Sequence, residues 1–174
     1  RNPAGQVFMK GRESSEWLAQ NLRSTRNFIR KWGHMVKHDA YLKPIVPPKY
    51  KVYFKAYNCD GNLLRELEPW CDRIYLDSGS IGKYAGKYQK EEQPNTQFDL
   101  DKRIFMYGNS KITDQDGIVV EFDCNKLTSD NFQILVNLSE IIQESGELGV
   151  MELEIFKFNI NSLKTYEKEL INAV

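Results

Sequence analysis

The chain has 174 residues, 41% hydrophobic and 12% aromatic, with 24 Lys/Arg balanced by 24 Asp/Glu. That is enough for one domain with a substantial core, and the absence of any run near the roughly 18 apolar residues of a membrane helix excludes such a span. Three widely spaced cysteines with no CxxC pair argue against a disulfide framework or structural zinc; small buried thiols in an intracellular, cytoplasmic protein or an assembly formed there are expected.

The zero net charge is unevenly divided. Residues 1–55 hold 12 Lys/Arg against three Asp/Glu, a net +9, which leaves −9 for the remainder. Such a division points to an anionic partner for the basic part or to complementary packing between copies.

In chain order, residues 1–12 read as an arm broken by Pro3, Gly5 and Gly11, and residues 13–174 as a single domain. Ser14 or Ser15 caps a helix expected to run to His38. Leu18, Leu22, Thr25, Ile29, Trp32 and Val36 form its apolar stripe. At 100° per residue Arg23, Arg26, Arg30 and Lys37 gather in a sector of about 60° beside that stripe, a basic rail. The proline-rich "DAYLKPIVPPKY" stops the helix. "YKVYFKAYN" alternates as a strand, "NLLRELEPW" gives a short helix and "DRIYLD" a second strand. Residues 78–98 are polar and glycine-punctuated and read as a long loop.

A hairpin is expected from "RIFMYG" and "GIVVEFD", then a helix capped by Thr128 or Ser129 and ended by Gly146. "GVMELEIFKFNI" is a strand whose apolar phase slips by one residue, and Ser162 caps a closing helix. Without the first helix and the loop this is β-α-β-β-α-β. The fold class expected is therefore α+β: a ferredoxin-like split core, a mixed or antiparallel sheet of about five strands with helices mainly on one face, plus the long N-terminal amphipathic helix.

Chemistry-bearing residues are few. His34 and His38, the only histidines, stand four apart as a zinc pair would on a helix, but without the HExxH glutamate. The pairs Asp99/Asp101 and Asp114/Asp116 have the i, i+2 spacing that lets two carboxylates share a divalent cation, though Asp is also what a turn requires. "IGKYAGKYQK" repeats Gly-Lys-Tyr, yet Tyr follows each Gly-Lys and the spacing of a P-loop fails; Lys83 and Lys87 there remain able to meet a partner or phosphate. With no nucleophile elbow and no Rossmann glycine fingerprint, no cofactor and no small-molecule substrate are inferred, and an enzyme is the less favoured class.

Three functions follow. The first is a non-catalytic interaction or assembly module whose basic N-terminal region docks on an acidic surface. Its partner would be a protein or a second copy, within a larger complex such as a viral structural assembly. The second is a nucleic-acid-binding domain with Arg23, Arg26, Arg30 and Lys37 on phosphates and Lys51 and Lys55 extending the track. The third is a metal-dependent transferase using the acidic pairs.

Overall fold

The computed structural model describes residues 14–108 and 116–166. Its centre is a six-stranded mixed sheet. Strands β3 (Val52–Tyr57), β4 (Arg73–Leu76), β5 (Ile104–Met106), β6 (Ile118–Asp123), β7 (Gly149–Leu153) and β8 (Phe156–Ile160) lie in the order β5-β4-β3-β6-β8-β7. A two-stranded hairpin, β1 (Lys37–His38) with β2 (Pro44–Ile45), precedes it.

The mixed α+β class and the N-terminal helix agree with the sequence, but the split ferredoxin topology does not. β4 and β6 flank β3 and both run parallel to it, and β5 is parallel to β4. The cause lies in residues 78–98. Instead of a loop they form α3 (Ser78–Ser80), a π-helical segment Ile81–Ala85, α4 (Gly86–Glu92) and a 3₁₀ turn Gln93–Asn95. A helix between two strands is a crossover, and a crossover delivers the next strand parallel to the last. The expected hairpin of 103–108 with 117–123 does not exist: β5 sits at the sheet edge, and both β4 and β3 lie between it and β6.

The slip in "GVMELEIFKFNI" is a genuine turn. Leu153 pairs with Phe156 across Glu154 and Ile155, with Glu154 at φ 52°, so one expected strand is the antiparallel hairpin β7–β8. No helix starts at Ser162: its Oγ accepts from Lys164 N, and Thr165 bridges to Tyr50. The arm at 1–12 and Asp114 lie outside the described residues.

Alternation places Val52, Phe54 and Ala56 on one sheet face with Ile74, Leu76, Ile118, Val120, Phe122, Phe156, Phe158 and Ile160. The same core takes Leu64 and Leu67 of α2 (Gly61–Leu67), Tyr88 of α4, Leu135 of α5 (Ser129–Val136), and Leu138 and Ile142 of α6 (Leu138–Ser145). The opposite face holds a smaller cluster of Tyr53, Tyr75 and Val119 with Phe105. Gly117 is dictated by closeness, since a Cβ there would stand 2.6 Å from the Lys51 carbonyl oxygen. Cys59, Cys71 and Cys124 are buried free thiols. No described helix is long and apolar enough to cross a membrane.

Candidate interaction surface

Helix α1 (Ser15–Trp32) begins where Ser14 Oγ accepts from Trp17 N. It ends six residues before the expected limit, because Gly33 takes the left-handed conformation (φ 76°) and donates its N–H to the Ile29 carbonyl. His34, Lys37 and His38 are therefore not on the helix, and the rail loses its last member.

The remaining rail is folded inward. Arg26 grips Glu92 with two hydrogen bonds of 2.8 and 2.7 Å. Arg30, 1% exposed, meets Glu68 at 2.6 Å, Glu92 at 2.9 Å and the Tyr88 hydroxyl at 3.0 Å, and Arg103 completes the cluster on Glu68. Burial by itself would raise the Glu68 carboxyl, but Arg103 and Arg30 outweigh it and hold it below the usual range; Glu92 is depressed likewise by Arg26 and Arg30 against its burial. Lys49 Nζ donates to the Arg30 and Lys31 carbonyls at 2.8 and 3.2 Å, satisfying the helix C-terminus. Arg23 remains half-buried on the flank.

The other sequence candidates also serve the fold. Lys37 pairs with Glu140 and donates to Asn137 Oδ1. Lys51 bonds Asp116 at 2.7 Å, and the Tyr53 hydroxyl donates to the same carboxylate at 2.6 Å. Lys55 lies over the Tyr107 ring, Lys83 over Tyr84, and Lys87 is 3.9 Å from Glu91. Asp99 accepts from Asp101 N and pairs with Lys102, while Asp101 accepts from Gln89. His34 is buried with Nδ1 donating to the Met35 carbonyl, and His38 Nδ1 contacts the Asp39 carbonyl. Among the described residues no group of three or more His, Cys, Asp or Glu is arranged to hold a metal ion.

Exposed large apolar side chains occur on β5 and around β7, at Met106, Leu148 and Val150, and in two features of the N-terminal part. All of residues 14–22, the first half of α1, are exposed, including Trp17, Leu18 and Leu22. The second feature is the tip of the β1–β2 hairpin. Asp39 N donates to the Lys43 carbonyl and Leu42 N to the Asp39 carbonyl. Asp39 Oδ1 also accepts from Tyr41 N and Lys43 N at 2.8 and 2.9 Å. This closed turn presents Tyr41 at 84% and Leu42 at 77% exposure. Leu42 holds φ 61°, a left-handed conformation that costs a side-chain-bearing residue about 1–2 kcal/mol. The hairpin base is tied to the body through Lys37, and Val36, Ile45 and Val46 beside it are exposed. A strained backbone that displays two apolar side chains to water gives the fold nothing that a polar turn would not.

Sequence reasoning passed over Tyr41 and Leu42. The signal was present: turns favour Gly, Asn, Asp and Ser, and an apolar pair between Asp39 and Pro44 departs from that pattern. Compared with protein-family models, with curated proteins and with solved structures, the chain matches none.

Proposed function

We propose that this chain is a non-catalytic interaction and assembly module that docks through the hairpin tip Tyr41–Leu42, with the projecting start of α1 as an additional contact. The carrying observation is the tip itself, held closed by Asp39 around a left-handed leucine while both apolar side chains face solvent. Rigid display favours binding because little side-chain and loop freedom is left to lose on contact, and a tyrosine beside an aliphatic residue is a favourable interface anchor. Exposed apolar groups that the fold does not need mark contact sites. Docking through the basic rail is less favoured because Arg26, Arg30 and Lys37 already have carboxylate partners.

The test compares wild type with Tyr41→Ser/Leu42→Ser as immobilised baits against a lysate of the source cells. Both baits should melt at the same temperature within a few degrees, and a set of proteins should be retained by wild type and lost by the variant. Identical retention by the two baits counts against the reading.

A further inference from the structure

We infer that the outer edge of β7 takes up an extended, cationic segment of a partner protein as a further strand of the sheet. This surface is separate from the hairpin tip and does not rest on it. β7 closes one side of the sheet and pairs only with β8 among the described residues. In an antiparallel ladder successive residues of an inner strand bond one neighbour and then the other. Asn161 N donates to the Gly117 carbonyl at 3.1 Å, which makes these two a bonded pair on the β6 side of β8. Counting back along the register, Asn159 and Lys157 also bond β6, whereas Phe156, Phe158 and Ile160 bond Leu153, Met151 and Gly149 of β7. Val150 and Glu152 therefore aim their N–H and C=O groups away from the sheet, where only the backbone of another strand can pair with them in series.

Sheet edges are ordinarily closed to such pairing by proline, lysine, a bulge or brevity. The opposite edge, β5, is three residues long, whereas β7 has five, runs in unbroken register with β8 and contains neither Pro nor Lys. Charge selects the strand that it accepts. Residues 144–160 hold four glutamates, all exposed, against Lys157 alone. Lys157 stands across from Glu152, yet none of Glu144, Glu147, Glu152 and Glu154 forms an ion pair among the described residues. The β7 of a second copy would set glutamate against glutamate and is disfavoured as the added strand. Met151 packs on the core and Leu153 shares its face, while Leu148 and Val150, 65% and 66% exposed, lie on the other face with Glu152. The segment that fits alternates apolar side chains beside Met151 and Leu153 with Lys or Arg beside Glu152, whose stems also cover Val150.

NMR titration of the isotope-labelled whole chain tests this, with an acetylated heptapeptide of alternating Lys and Val as the probe and its Glu–Val counterpart as the control. The cationic peptide should shift amide signals around β7 and slow hydrogen exchange at Val150 and Glu152. The acidic peptide should bind about tenfold more weakly or worse. Val150→Pro removes an outward N–H while leaving the bonds to β8, and should abolish binding. Glu152→Lys/Glu154→Lys, two exposed substitutions, should remove the preference for the cationic peptide. Circular dichroism checks the folding of each variant, and where Val150→Pro does not fold the charge variant decides. Absence of any shift at β7 into the millimolar range overturns the inference. Equal binding of the two peptides by wild type does so too, as does a preference unchanged in the charge variant. Tyr41→Ser/Leu42→Ser should bind the cationic peptide as wild type does, so failure at one surface is distinguishable from failure at the other.

Discussion

The two halves of α1 carry one continuous amphipathic stripe and meet opposite environments. From Arg26 onward the helix is clamped: Ile29 and Arg30 are buried, and Glu68, Glu92 and Asn95 hold it to the body. Over residues 14–22 the same stripe stands in water. A helical pattern therefore specifies that a face is apolar, and says nothing of whether the covering surface belongs to the same molecule. Charge divides the two halves as well. The arginines that looked like a partner's handle are the internal fastening, and the apolar residues that looked like core are the part left exposed.

The largest effect should come from attacking the clamp. Arg30→Met leaves Glu68 and Glu92 short of a buried partner and should cost about 3–5 kcal/mol in denaturant unfolding; a loss below about 1 kcal/mol would mean that the cluster is not what anchors α1. Acid should act on the same cluster. The carboxyls of Glu68 and Glu92 are held below their usual range in the fold, so they contribute stability that is complete above the unfolded pKa and lost as pH falls through the depressed folded value. Melting temperature should be level above the ordinary carboxylate range of about 4–5 and fall below it. Glu92→Gln should lower the level part and flatten the fall, and an unchanged acid slope would place the titration elsewhere.

Smaller effects should come from the exposed features. Leu42→Gly removes a left-handed leucine and should raise stability by up to about 1 kcal/mol while reducing the retention of partner proteins, a combination of melting and capture that separates a docking residue from a structural one. The smallest belongs to the free half of α1. Leu18→Ser/Leu22→Ser should change unfolding by no more than about 0.5 kcal/mol; a loss of several kcal/mol would show that this half is buried in solution.

Legibility followed locality. The helix caps at Ser14 and Thr128, the stop at Gly146 and the alternation of β3 could be read because each depends on residues within a few positions. Gly33 was visible but ambiguous: a glycine in a helical pattern weakens or ends it, and the outcome turned on Lys49 reaching the last carbonyls from outside the helix. The stretch 78–98 was misread because its helix is short of apolar periodicity. It is held instead by Tyr88 and Glu92 entering the charge cluster, a contact with α1 that lies about sixty residues upstream. The parallel placement of β5 at the sheet edge goes with that helical crossover, whereas the parallel pairing of β6 with β3 joins segments more than sixty residues apart and has no local signal.

What the amino-acid order determined was which positions are greasy, which are charged and where turns fall, since periodicity and capping are short-range properties of the backbone. Only the folded arrangement decided which charges cancel within the chain and which apolar groups are left for another molecule, because ion pairing and burial depend on neighbours brought together from distant positions. Arg30 and Tyr41 mark the two outcomes: one charged and enclosed, the other aromatic and open to solvent.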